Sequence, residues 1–219
     1  MTNTAPSPSA EALLPATSEQ IDRRKSLLQA AFDVIATAGF EGLRTRAVAA
    51  RAGVNVATLH YYFPTKDALV HGLADFLSTV FATLHSPEQA TTGHRALDYL
   101  RREFRDMRFY REQHPELMHV MGEMANRARR DPAVQSALER MLTDWRGWIG
   151  QMVRTGIAEG TFRSGLDAEQ TVSVLQAILA GGPSIGVDFT ESLRLGVEEW
   201  ILSPEVKEQL KGMESCIQP

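Results

Sequence analysis

The sequence predicts an all-α protein of about nine helices, a small N-terminal group followed by a larger helical body. Three observations carry this reading. Apolar residues recur at intervals of three and four along most of the chain, the spacing of one helix face. No run of alternating apolar and polar residues bounded by turn residues competes, so strands find no support. Capping residues, prolines and glycines fall where such helices would start and stop. Of 219 residues, 43% are hydrophobic and 23% charged, which excludes a fibrous or wholly disordered chain.

Residues 1–17, rich in Ala, Pro, Ser and Thr, lack the basic start and apolar core of a secretory signal and are expected to be a disordered tail. Ser18 is placed to cap a helix with Ile21, Leu28, Phe32 and Ile35 on one face, ending near Ala38 and Gly39. Two short helices flank Gly53. A helix over 66–84, a loop over 86–93 and a helix over 94–113 follow. Pro115 opens the next helix, and Asp131-Pro132 starts a long one that reaches Glu159-Gly160. Asp167 starts another, and Thr190 is placed to cap the last, which ends near Leu202 before Pro204. The longest uncharged stretch, residues 170–187, carries Gln170, Thr171, Ser173, Gln176 and Ser184 and breaks at Gly181-Gly182-Pro183. A transmembrane helix needs about 20 mainly apolar residues, so no membrane partner is expected.

The net charge is −4, and the sequence pI is near 5.9, values that speak weakly against nucleic acid. The distribution reverses that. Residues 1–70 hold seven basic and six acidic side chains, residues 71–163 thirteen and twelve, and residues 164–219 three and nine. The acidity sits at the C-terminal end. Arg23, Arg24, Lys25, Arg44, Arg46, Arg51 and Lys66 form a local basic set in the first region. The single Cys216 excludes an internal disulfide and a cysteine metal cluster and fits a reducing, cytoplasmic setting.

From Thr45 the chain reads Thr-Arg-Ala-Val-Ala-Ala-Arg-Ala-Gly-Val-Asn-Val-Ala-Thr-Leu-His-Tyr-Tyr-Phe. Thr45 is expected to cap a short helix with Val48, Ala49 and Ala52 inward, and Gly53 to end it in the left-handed conformation. Val54 plugs the turn. Asn55 is expected to cap a second short helix with Leu59 and either Tyr62 or Phe63 inward. Where two such helices cross steeply only a small residue fits, which suits Ala49. This is the layout of a helix-turn-helix, whose second helix enters the DNA major groove.

The continuation Leu59-His60-Tyr61-Tyr62-Phe63-Pro64-Thr65-Lys66-Asp67-Ala68-Leu69 resembles the TetR family of bacterial transcriptional regulators, over about residues 21–73. The resemblance implies a three-helix DNA-binding domain over 18–66 and a helical ligand-binding and dimerisation domain over 67–219. It implies double-stranded operator DNA, a second copy of the chain and a small-molecule effector as partners. Thr45 and Arg46 then face phosphate or a guanine edge. Asn55, Val56, Ala57 and Thr58 form the exposed first turn of the recognition helix, where Val56 or Ala57 meets a thymine methyl. Tyr61 lies on the outer side, Tyr62 near groove or core, and Lys66 clamps a phosphate. His60 stands where the family most often has Tyr. Imidazole also donates to phosphate, and its charged form would strengthen binding as pH falls through the ordinary histidine range.

In the body, Met118, Met121 and Met124 recur every three residues, with Met107, Met141, Met152, Trp145 and Trp148 on neighbouring helices. Thioethers and large aromatics suit either a cavity for variable apolar ligands or plain core packing. The family resemblance favours a pocket bounded by Phe104, Met107, Met121 and Trp145. Arg101, Arg105 and Arg108 make a basic stripe interleaved with Asp98, Glu103, Asp106 and Glu112. A solvated, salt-bridged face is the plainer reading and an anionic or acyl-thioester ligand the sharper one. Val172, Leu175 and Leu179, with Leu193, Val197, Trp200 and Ile201, mark two apolar helix faces expected to form a four-helix dimer interface, as in the family, with intramolecular core the alternative.

No enzymatic activity, cofactor or metal is expected. The six histidines, at 60, 71, 85, 94, 114 and 119, have no HExxH spacing, and no Gly-rich phosphate loop, GxSxG or CxxC occurs. The remaining alternatives are a helical ligand-binding protein without operator binding, and an activator in place of a repressor.

Overall fold

A computed structural model of the chain describes residues 18–87, 91–181 and 188–215. The tail expected over 1–17, the break at Gly182-Pro183 and Cys216 lie outside the described residues. The helices are α1 (Ser18–Ala38), α2 (Thr45–Arg51), α3 (Val56–Tyr62), α4 (Lys66–Thr83), α5 (Arg95–Gln113), α6 (Pro115–Ala128), α7 (Pro132–Ala158), α8 (Ala168–Gly181), α9 (Asp188–Ile201) and α10 (Pro204–Ser215), with a 3-10 turn at Phe40–Gly42. Among the described residues the only β pairing is an isolated bridge between Phe162 and Leu202. The chain is all-α.

The tenth helix is the addition. Pro204, expected to end the last helix, opens α10 instead, because a residue without an N–H costs nothing in a first turn. Thr190 correspondingly lies inside α9, which begins at Asp188. Asp131 and Asp167 do cap: Asp131 Oδ1 accepts from Ala133 N at 3.3 Å, and Asp167 Oδ1 accepts from Gln170 N at 2.8 Å. Thr65 caps α4, its Oγ1 accepting from Ala68 N at 3.0 Å.

The chain divides into two compact units between Phe76 and Leu77, within α4. In the first, α1 packs on α2 and the 3-10 turn, and α2 on α3. Its buried residues include Leu28, Phe32, Ile35, Phe40, Val48, Ala49, Leu59, Phe63, Leu69 and Leu73. Ile21 does not join them: it is 56% exposed in the first turn of α1, so the buried face of that helix begins at Leu27. Phe63, not Tyr62, fills the inward position after Leu59, and it leaves no room for a side chain on Gly72, where a Cβ would lie 2.7 Å from its ring.

A hydrophobic core of the second unit draws on five helices. Ala96, Leu97, Leu100 and Phe104 of α5 meet Ile149, Met152 and Val153 of α7, Val172, Leu175 and Leu179 of α8, Val197 and Ile201 of α9 and Val206 of α10. Phe162 closes it from the turn after α7, held by the hydrogen bond from its N to Gly156 O at 2.9 Å.

Candidate nucleic-acid interface

The sharp corner between α2 and α3 follows from three residues. Gly53 takes φ 67°, open to glycine at little cost. The reversal there aims Val54 N back at Ala49 O at 2.9 Å, the bond that closes a helix through a left-handed residue. Asn55 then caps α3: its Oδ1 accepts from Thr58 N at 2.7 Å and from Thr58 Oγ1 at 3.0 Å. That carbonyl is therefore committed, and what Asn55 can offer a base or phosphate is its amide N–H pair. Thr45 is not a cap. Arg44 occupies that position without a side-chain bond, and Thr45 is the first helical residue.

With Leu59 buried, the outer side of α3 carries Ala57, His60 and Tyr61, all exposed, and Val56, Thr58 and Tyr62, half-buried. Tyr61 is 71% exposed, and its ring stands edge-on to Tyr62 with centroids 5.1 Å apart. Arg46 is exposed beside half-buried Thr45, and Lys66 is exposed at the start of α4, its Nζ 5.3 Å from the centre of the Phe40 ring. Nine candidate residues thus lie on α2, α3 and the first turn of α4, with Asn55 as the cap of α3. Arg44, also exposed, joins them at the α2 start.

The basic set is not uniformly available. Arg51 grips Asp33 of α1 through Nε at 3.0 Å and Nη2 at 2.9 Å, so its charge is spent fastening α2 to α1. Arg24 lies 5.1 Å from the centre of the Phe63 ring, a cation–π contact that places its charge over the first unit's core.

In the second unit, Phe104 belongs to the core, and Met107 and Trp145 pack against it. Met121 is half-buried on α6 outside that cluster, and Trp148 is 76% exposed, so it lines no interior. Two of the acids interleaved with the arginines of α5, Glu103 and Asp106, do not belong to a solvated face, whereas Glu112 is exposed. Glu103 accepts from Trp145 Nε1 at 3.1 Å, and burial raises its carboxyl above the usual carboxylate range, a shift the indole N–H partly offsets. Asp106 is buried, with Oδ2 2.8 Å from His85 Nδ1 and Oδ1 accepting from Ser86 N at 2.8 Å. Tyr110 donates to Leu84 O at 2.7 Å, and burial pushes its phenol up, keeping it protonated. The spacing of 103, 106 and 110 on one helix face was the available signal for this group.

Of the residues expected at a dimer face, Val172, Leu175, Leu179, Val197 and Ile201 are buried in the chain's own core, while Leu193 and Trp200 pack against it half-buried. The outward faces of the same helices carry Val174 and Ala177 on α8 and Leu195 and Gly196 on α9.

Residues 27–73 match the model for bacterial regulatory proteins of the tetR family, and residues 119–184 match that for the tetracyclin repressor-like C-terminal domain. The chain is 29% identical over 121 residues to the HTH-type transcriptional repressor KstR of Rhodococcus jostii, covering 55% of this chain and 48% of that protein. It is 45% identical over 47 residues to the HTH-type transcriptional regulator RutR of Escherichia coli, 22% of each chain. The chain therefore spans about half the length, or less, of these curated relatives. Its fold is similar to that of a TetR transcription regulator from Haloarcula marismortui, with a TM-score of 0.68 and 23% identity over 84% of this chain and 100% of that one.

Proposed function

Since the chain belongs to the TetR family of transcriptional regulators, we propose that it is a ligand-responsive repressor that binds a pseudo-palindromic operator as a homodimer and is released by a small apolar or amphipathic effector. One observation carries this: α2, the Gly53 corner and α3 form a helix-turn-helix, with Arg46, Ala57, His60 and Tyr61 exposed on it and Lys66 exposed at the start of α4. In this reading residues 18–66 read DNA, with residues 67–219 binding the effector and the second copy. The first turn of α3 enters the major groove. Arg46 supplies either a phosphate clamp or a fork to guanine, the latter worth about 1–3 kcal/mol of discrimination against other bases. His60 and Lys66 hold phosphates, which fix register without reading sequence.

Two copies are needed because one short helix reads too few base pairs. Half-sites then lie about 34–36 Å apart, or a multiple of that, so a modest change in the spacing of the two copies lowers affinity. Effector bound near Phe104, Met107 and Trp145 acts through α4, which runs unbroken from Lys66 to Thr83. A coupling of about 1–3 kcal/mol changes operator occupancy 5- to 150-fold. The second copy docks on the outward face of α8 and α9 around Val174, Ala177, Leu195 and Gly196, where small residues allow close helix approach.

Electrophoretic shift with the DNA flanking its own gene tests the DNA reading. A complex that resists competitor DNA is expected, and binding no better than to random duplex would refute it. A Val174→Glu, Leu195→Arg double variant should sediment as a folded monomer and lose the shift. A stable dimer from that variant would refute the placement of the interface.

A further inference from the structure

Charge along one side of α5 is out of balance, and the imbalance is local. Arg101, Arg105 and Arg108 follow one another at helical spacing on one face, and α9 packs against this helix. Arg101 reaches across to Glu198 through Nε at 2.9 Å and Nη2 at 2.7 Å. Arg194 of α9 bonds that same carboxylate and also grips Glu191, through Nε at 2.9 Å. Arg108 adds its field at Glu191, and Arg111 donates to Thr190 Oγ1 at 3.2 Å. Asp98 of α5 is taken by Thr92, whose N and Oγ1 bond it at 2.7 and 2.8 Å. Glu199 of α9 is held by Lys207 at 2.6 Å. Glu112 is exposed one turn beyond Arg108. The two carboxylates facing α5 from α9, Glu191 and Glu198, are thus shared among Arg101, Arg108 and Arg194.

Arg105 is the remainder. Its side chain is half-buried, its Nε is withdrawn from solvent without a hydrogen-bond partner, and no carboxylate pairs with it among the described residues. That nitrogen, like the Nε of Arg102 on the same helix, has lost its hydration without a hydrogen bond in exchange. The rigid fork of donors on Arg105 matches the two oxygens of a carboxylate or a phosphate. Its neighbours along α5, Phe104 and Met107, belong to or pack against the apolar core.

We propose that the α5–α9 seam is an anion-binding site, in which Arg105, backed by the fields of Arg101 and Arg108, takes a carboxylate or phosphate group. The inference rests on the effector reading above and sharpens it: the effector is an amphipathic acid with its head on Arg105. The same chemistry would bind a free inorganic anion, and the test separates the two sources.

The full-length protein is titrated with dodecanoate and dodecanol, followed by tryptophan fluorescence, and melted in sodium phosphate against sodium chloride of equal ionic strength. Dodecanoate should bind about tenfold more tightly than dodecanol, as a charge-assisted hydrogen bond pair implies. Arg105→Gln should abolish that preference while leaving dodecanol affinity unchanged, and Arg105→Lys should restore part of it. A melting rise with phosphate that Arg105→Gln removes, without preference for dodecanoate, assigns the site to a free anion. Equal affinity for acid and alcohol together with no phosphate effect, or any preference that survives Arg105→Gln in a variant with wild-type circular dichroism, overturns the site. Operator shift is measured separately. Anion binding that leaves operator affinity unchanged keeps the site and refutes its role as effector site, whereas loss of the site leaves operator binding standing.

Discussion

Replacing Gly156 by alanine places a methyl group inside the ring of Phe162. A Cβ built on Gly156 lies 2.2 Å from Cδ2, 2.4 Å from Cε2 and 2.8 Å from Cγ, whereas carbon atoms in comfortable contact stand about 3.5–4.0 Å apart. The ring would have to retreat by more than about 1 Å, and it is poorly placed to do so. Phe162 N is bonded to Gly156 O at 2.9 Å, and the flanking bonds from Arg163 N to Ile201 O at 2.9 Å and from Ser203 N to Thr161 O at 3.0 Å fasten the segment to the end of α9. Overpacking of this kind costs about 1–3 kcal/mol. Against it stands the helix preference of alanine over glycine, at most about 1 kcal/mol. The net expectation is a loss of about 1–2 kcal/mol. Gly147, on the same helix with nothing within 4 Å of its Cβ position, provides the control. There the same substitution should gain about 0.5–1 kcal/mol. Urea unfolding of both variants measures the two changes on one scale. A Gly156→Ala protein as stable as the wild type would show that Phe162 does not lie on Gly156 and would undo this account of the turn after α7.

Other expectations follow from single groups. Lys66→Ala should weaken binding to all DNA sequences about equally and reduce the salt dependence of affinity by about one counterion, read from shifts at several salt concentrations. Tyr110→Phe removes the hydroxyl that donates to Leu84 O at 2.7 Å. A stability loss of about 0.5–1.5 kcal/mol and faster amide exchange in the last turn of α4 are expected, and unchanged exchange would count against the tie. Burial holds the Glu103 carboxyl above its ordinary value of 4.5, so in the window above that value the folded chain keeps a proton that the unfolded chain has released. Stability therefore falls as pH rises through that window, until the folded carboxyl has also ionised. Glu103→Gln keeps an acceptor for Trp145 and should flatten that slope, leaving the protein more stable at neutral pH. Parallel stability curves for the two proteins would contradict the shift.

The helix-turn-helix was readable because its determinants are local. Gly53 and Asn55 act within four residues of where they stand, so their roles follow from the sequence. Helix starts at Pro115, Asp131 and Asp167 were readable for the same reason. Pro204 was misread because proline ends one helix and opens another with equal ease, and only the chain beyond it decides. The apolar faces of α8 and α9 were visible as faces, but periodicity does not say whether such a face meets its own chain or another. Val172 and Ile201 proved to be core, while Val174 and Leu195, scattered by comparison, lie outside. Likewise Glu103 and Asp106 looked solvated because arginines stood next to them in sequence. Their partners, His85, Ser86 and Trp145, come from other elements.

Charge shows most directly what packing adds. The net charge of −4 and the seven basic residues of the first region treat every ion alike. In the structure Arg51 and Arg46, five residues apart, have opposite fates: one is locked to Asp33, the other faces solvent beside the recognition helix. Arg101 and Arg105, one turn apart on α5, divide in the same way, the first bidentate on Glu198 and the second without a carboxylate among the described residues. In each pair the bonded arginine holds two helices in register, and its charge is largely neutralised at any distance beyond the contact. The other keeps its charge for something outside the chain. The two residues, on separate units and with different surroundings, suit different kinds of anion. Arg46, fully hydrated beside other exposed donors, suits the extended phosphate lattice of a duplex. Arg105, half-buried next to apolar side chains, suits a single small anion with a hydrocarbon attached.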